Sequence, residues 1–153
     1  MPPRGRFVAR AVETRYWRPS TDFVRLVVSA VTGLIREGDC LVVSEKALST
    51  AIGNIVDESA LEPSHVAKVL AGVWTRLIWG RFLGYICRMM PGTILRLRAY
   101  PSVEGSRHKE LVLRRAGLLH ALKHASEGGI DVNNLPGAFA ALPLKNAQTL
   151  AGS

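Results

Sequence analysis

At 153 residues and 48% hydrophobic composition, the chain can bury a sizeable core, which excludes an intrinsically disordered protein. Lys plus Arg number 20 against 12 Asp plus Glu, giving a formal charge of +8 and a pI near 10.2, so the surface attracts anions. Nucleic acid, acidic lipid and phosphorylated small molecules all meet that condition, and the choice among them falls to motifs and spacing.

Taken in chain order, residues 1–10 are basic but lack the apolar centre of a secretory signal, and a cytoplasmic location is the expectation. Residues 7–17 mix β-branched and aromatic side chains with charged ones and end at Arg18-Pro19, which suits an opening strand. A helix should follow, capped by Ser20 or Thr21 with Asp22 at its positive end. Phe23, Leu26, Val27, Ala30, Val31 and Leu34 recur along it at helical spacing, and Gly38 can stop it. The short β-branched run Cys40-Leu41-Val42-Val43 reads as a strand buried on both faces. Cys40 and Cys87 form no C-x-x-C pair and lie in apolar surroundings, so both are expected as reduced, buried thiols.

Residues 65–90 are the most apolar part of the chain, yet Lys68, Arg76, Arg81 and Arg88 interrupt them. No charge-free run reaches the roughly 18 residues a bilayer crossing requires. One long apolar helix near the middle, packed on the core or on an oligomer partner, is the expectation. Pro91-Gly92 should break the chain, and a second helix should run from Thr93 towards Tyr100, closed by Pro101. Residues 111–123 are rich in Leu and Val and read as one or two strands interrupted at Gly117, with helix as the competing assignment. Residues 126–143 concentrate three glycines, an aspartate, two asparagines and two prolines, a composition that demands unusual backbone angles. The whole reads as one α+β domain over residues 1–153, a mixed β-sheet with flanking helices.

Several chemistries find no support. There is no G-x-x-x-x-G-K-[ST] phosphate loop and no G-x-S-x-G elbow, and His120 and His124 stand at H-x-x-x-H spacing without the Glu of a zincin or a third ligand. Arg4, Arg6, Arg10, Arg15 and Arg18, with Arg107, Lys109, Arg114 and Arg115 later, raise nucleic-acid binding as the rival function, Tyr16 and Trp17 offering stacking surfaces. No RNP, KH or helix-turn-helix pattern accompanies them. A noncatalytic structural subunit is the third reading.

Two separated motifs carry a more specific signal. Residues 39–49, DCLVVSEKALS, followed by Gly53, place an apolar run before a Lys-x-x-Ser element and a glycine. Residues 129–134, GIDVNN, followed by Leu142-Pro143, form the second. In this order they resemble the coenzyme F-420 gamma-glutamyl ligase family, whose second loop reads Gly-Val-Asp-x-Ser-Asn. The resemblance covers most of the chain from about residue 15 onward.

The resemblance implies a GTP-dependent ligase adding glutamate to a phosphorylated deazaflavin, with Mn2+ or Mg2+ and with K+ as a further ion. On that basis Asp131 is a metal ligand, and Lys46, Ser49 and Asn134 are nucleotide contacts. Departures from the family pattern fall around the second loop: Ser126-Glu127-Gly128-Gly129 stands for Ala-Asn-Ala-Gly, and Leu144-Lys145-Asn146 replaces acidic residues after Leu-Pro. Thr50 stands where the family often has a basic residue. The family continues into a second half bearing an Asp-Thr metal pair, so the chain is expected to need that half, or a second copy of itself, to complete the chemistry.

Overall fold

The computed structural model describes residues 8–124, 128–132, 135 and 137–144. The chain divides into two compact units, Met1–Gly53 and Asn54–Ser153.

In the first unit, residues 8–19 form no strand. Trp17 is buried and stacks on Phe23 with centroids 6.3 Å apart, while its indole donates to the Thr14 hydroxyl at 3.0 Å. Trp17 is thus a core residue and offers no stacking surface, whereas Tyr16 stays exposed. Helix α1, Phe23–Val31, starts where Asp22 accepts from the Arg25 amide at 3.0 Å; Thr21 instead accepts from the Arg18 amide. It ends before Gly33, whose φ of 76° turns the chain ahead of Leu34 and Gly38.

The strand expected at residues 40–43 is likewise absent. No described strand pairs with this run, and Val42 is 86% exposed, so its β-branched composition has no ladder or core to join. Cys40 is consequently a free, exposed thiol, as is Cys87 at the end of a helix in the second unit, so neither is buried as expected. Helix α2, Glu45–Ala51, closes at Gly53 with φ of 75°.

The second unit is α+β. Strands β1, Ile55–Asp57, and β2, Phe139–Ala141, pair antiparallel with Ile55 opposite Ala141 and Asp57 opposite Phe139. A 3-10 turn, Glu58–Ala60, leads to a helical run in three segments: α3, His65–Val69; a π-wound stretch, Leu70–Leu83; and α4, Gly84–Ile86. The single apolar helix expected here is therefore segmented, and many of its apolar side chains, among them Val69, Phe82 and Ile86, are exposed. No helix among the described residues is long and apolar enough to cross a membrane. The run stops before the Pro-Gly pair, because Arg88 takes φ of 51° and the Met89 amide reaches back to Gly84 at 2.9 Å. Pro91 then opens helix α5, Pro91–Arg98, at a position where its missing N–H costs nothing. Helix α5 lies close on the π stretch: a Cβ at Gly80 would stand 3.0 Å from Arg98 Cγ, and Arg98 Nε donates to the Gly80 carbonyl at 2.8 Å.

Residues 111–123 are helical, not extended. Helix α6 spans Val103–Ala116, Gly117 interrupts with φ of 84°, and α7 spans Leu118–Ala121. Helix α6 buries Ser106, His108, Lys109, Leu111 and Val112, a helical face in which polar residues replace the usual apolar stripe. Leu70, Leu111, Val112, Ala121, Ile130 and Ala140 form the core.

The carbonyls at the end of α7 are held by three side chains. Lys109, with no exposed surface, donates to Ala121 at 2.7 Å and to Lys123 at 3.1 Å. Between them the Leu122 carbonyl accepts the indole N–H of Trp74 at 2.8 Å and of Trp79 at 3.0 Å. Two donors five residues apart converge on one oxygen because π winding takes up an extra residue per turn and brings i and i+5 onto one side. Trp74→Phe or Trp79→Phe alone should cost about 1 kcal/mol, since the other indole still satisfies the carbonyl. The double variant should cost about 0.5 kcal/mol or more beyond their sum in urea unfolding, and strict additivity would show that the two donors act independently.

Candidate functional site

Asp131 is placed by its own main chain. Its amide donates to the Ala141 carbonyl at 3.0 Å and its carbonyl accepts from the Ala141 amide at 2.8 Å, so β2 pairs with β1 on one side and with Asp131 on the other. The approach is a tight turn at Gly128 and Gly129, with φ of 71° and 79°, in agreement with the backbone expected from composition. A Cβ at Gly128 would stand 2.4 Å from the Ala116 Cβ, so the turn rests directly on the end of α6. On the far side, Leu142-Pro143 is tied down by Asn54, whose side-chain amide donates to the Leu142 carbonyl at 3.0 Å and the Pro143 carbonyl at 3.2 Å. Asn54 was not legible as an anchor, because its partners lie 88 and 89 residues away.

The Asp131 loop, β2, the 3-10 turn and α6 enclose a cavity of about 490 Å³. Glu58, Glu104, Arg107 and Asp131 line it together with His108 and His124, and Tyr100 closes one wall. Gly105 admits that ring, since a Cβ there would meet Tyr100 Cε1. His108 Nδ1 and Glu58 Oε1 lie 2.7 Å apart, both side chains being nearly enclosed. Sequence reading missed this pair because 50 residues separate its members. Among the described residues, buried Arg107 Nε has no hydrogen-bond partner. Asp57 is held below the ordinary value of 3.8, first by hydrogen bonds from Ser59 and further by the charge of Arg107.

Helix α6 is itself anchored at Glu110. Its carboxylate accepts from the Ser64 hydroxyl at 2.6 Å, the Ser64 amide at 3.0 Å and Arg114 Nε at 2.6 Å. Ser64 in turn caps α3. These contacts, Ser64 first and Arg114 after it, hold the Glu110 carboxyl below its ordinary 4.5.

Of the residues implied by the family resemblance, Lys46 and Ser49 both lie on α2 in the first unit, where Ser49 has no exposed surface. Asp131 belongs to the second unit. Asn134 lies outside the described residues, as do Glu127, Lys145 and Asn146. Among the described residues no group of three or more His, Cys, Asp or Glu is arranged to hold a metal ion, so Asp131 alone does not make a complete donor set. His124, from the H-x-x-x-H pair, packs its ring on Trp79 at 4.4 Å.

The sequence profile described as F420-0:Gamma-glutamyl ligase matches residues 11–153. The chain belongs to that family. An uncharacterized protein of Methanocaldococcus jannaschii is 37% identical over 146 residues, covering 94% of this chain and 50% of the relative. The chain therefore spans about half the length of the curated relative it matches. No solved structure matches it.

Two substitutions test the frame. Glu110→Gln should cost about 1.5 to 3 kcal/mol at pH 7, the range for hydrogen bonds to a charged group. Because the folded carboxyl titrates below 4.5, its contribution is full above that pH and is lost as pH falls through the folded value. Urea unfolding of both proteins between pH 7 and pH 3 should show the gap closing; a pH-independent gap would mean the carboxylate charge is immaterial. Gly128→Ala should cost about 1 to 3 kcal/mol by the same measurement, since both its φ and the Ala116 contact oppose a methyl group.

Proposed function

We propose that this chain supplies one half of a GTP-dependent acid–amino-acid ligase site that joins glutamate to the carboxylate of a phosphorylated deazaflavin. The observation that supports it is the main-chain pairing of Asp131 with Ala141, which fixes the aspartate of the family motif at the wall of the cavity. A carboxylate does not react with an amine until it is activated. Transfer of the γ-phosphoryl group from GTP gives an acyl phosphate and GDP. The amine nitrogen then forms the C–N bond, the C–O bond to phosphate breaks, and inorganic phosphate and a proton are released.

In this reading Lys46, Ser49 and Asn134 contact the nucleotide, and Asp131 is one ligand of a divalent ion, Mn2+ or Mg2+, with K+ as an accessory. Such an ion offsets triphosphate charge when bound. Its other ligands would come from a carboxy-terminal half, where the family resemblance implies an Asp-Thr pair, or from a second copy. Ligation needs nucleotide, acid and amine held together, and a misplacement of about 1 Å can cost on the order of a hundredfold in rate. The rival nucleic-acid reading loses members of its basic cluster: Lys109 is buried and Arg114 is paired with Glu110.

Titration calorimetry of GTP should show weak binding that requires Mn2+ and falls at least about tenfold in Asp131→Asn, the cost of one charged contact. Metal-independent binding, or none, would overturn the half-site. Glutamate-dependent GTP hydrolysis should be absent for the chain alone and appear when it is mixed with the half of the Methanocaldococcus relative that this chain does not match. Robust turnover by the chain alone would show a complete site.

A further inference from the structure

The π stretch and α4 run out to a turn, and α5 runs back from it. Around that turn large apolar side chains stand in the open: Phe82 is 61% exposed, Tyr85 57%, Ile86 75% and Met90 77%. Single surface hydrophobics need no explanation, but several gathered at one tip mark a place where something docks. The tip is firmly built. Gly84 lets the arms close on each other, since a Cβ there would stand 3.1 Å from Ile94 Cγ1 on α5. The turn also satisfies its own main chain, the amides of Cys87, Arg88 and Met89 donating to the carbonyls of Leu83, Tyr85 and Gly84 at 2.8, 3.0 and 2.9 Å. N–H groups bonded in this way lose little on leaving water for an apolar medium, where an unpaired one is costly.

Charge decides what covers the tip. No Asp or Glu occurs between Glu62 and Glu104, whereas Lys68, Arg76, Arg81, Arg88, Arg96 and Arg98 all fall in that interval. Arg81, Arg88 and Arg96 are exposed and flank the apolar cluster in the chain. A second copy docked tip to tip would set these cations against their own kind. An anionic bilayer meets both demands of the surface: its acyl boundary takes the apolar side chains, and its phosphates take arginines that reach outward on long stems. A hairpin tip also enters lipid without a preformed groove to receive it.

We propose that the tip of this hairpin docks on an anionic lipid bilayer, with Phe82, Ile86 and Met90 at the acyl boundary and Arg81, Arg88 and Arg96 among the headgroup phosphates. Tyr85, whose hydroxyl accepts from Arg98 Nη2 at 2.7 Å, sits at headgroup level, where amphipathic rings collect. The contact is peripheral, as no helix among the described residues is long and apolar enough to cross. It does not depend on the ligase reading.

Cys87, a free and exposed thiol at the tip, provides the reporter. In the full chain carrying Cys40→Ser, an environment-sensitive dye on Cys87 should shift to the blue on vesicles of phosphatidylcholine containing about one third phosphatidylserine. It should stay unmoved on phosphatidylcholine alone and with soluble O-phosphoserine. Sedimentation with the mixed vesicles should weaken as salt rises. Phe82→Ser combined with Ile86→Ser should weaken it at least about tenfold, and Arg81→Gln combined with Arg88→Gln by about tenfold or more. All four positions are exposed, and the dye reads the unsubstituted tip whatever the variants do. No sedimentation with the mixed vesicles overturns the proposal. So does sedimentation without a dye shift, or sedimentation indifferent to the Phe82 and Ile86 substitutions, because either is adsorption by net charge alone. A shift with O-phosphoserine would mark an anion site instead. A shift without lipid, on raising protein concentration or on adding the half of the Methanocaldococcus relative that this chain does not match, would give the tip to a protein partner and equally overturn the lipid assignment.

Discussion

The carbonyl end of α7 ties α6 to the π stretch in the second unit. Three consecutive oxygens, Ala121, Leu122 and Lys123, take donors from Lys109, Trp74 and Trp79. A short helix would not hold its place unaided, because its last carbonyls have no partners of their own. A buried ammonium at a helix C-terminus is favourably placed in the field of those carbonyls, which offsets part of the desolvation cost of burying Lys109. The grip fixes α6, which carries Lys109, against the π stretch, which carries both indoles. It also fixes the point from which the chain leaves towards Gly128, Gly129 and Asp131.

From that frame the charge arrangement of the cavity follows. Helix α6 points Glu110 and Lys109 into structural duties and Glu104, Arg107 and His108 towards the cavity, all within seven residues. One helix thus divides its polar residues between holding the fold and lining the site. Nothing in a run of alternating Arg, His, Lys and Glu distinguishes the two roles, which depend on what α3, α7 and the 3-10 turn bring alongside.

That division explains what the sequence revealed and what it concealed. Helices with apolar stripes and caps, such as Phe23–Val31, were legible, as were the turn-forming glycines at 128 and 129. Helix α6 was not, because Ser106, His108, Lys109 and Glu110 fill its buried face and hide its period; the Leu and Val residues that remained looked like strand. The run at residues 40–43 failed in the opposite sense. Its β-branched residues satisfy strand propensity, but propensity forms a strand only where a neighbour offers a ladder, and Val42 has none. Of the site, the Asp131 motif was legible through family resemblance. Arg107 looked like one more surface cation, and the His108–Glu58 and Asn54–Leu142 contacts span distances that no local pattern encodes.

The departures from the family loop then acquire a physical cause. Where the family has alanine, this chain has Gly128, and its φ of 71° together with the Ala116 methyl leaves no room for a side chain. An alanine there would require either another backbone angle or a different residue on α6. Asp131 is unaffected by that exchange because its position is set downstream, by two main-chain hydrogen bonds to Ala141. A carboxylate placed by backbone pairing tolerates sequence change in the turn that delivers it, because the two main-chain hydrogen bonds to Ala141 do not depend on the side chains of that turn.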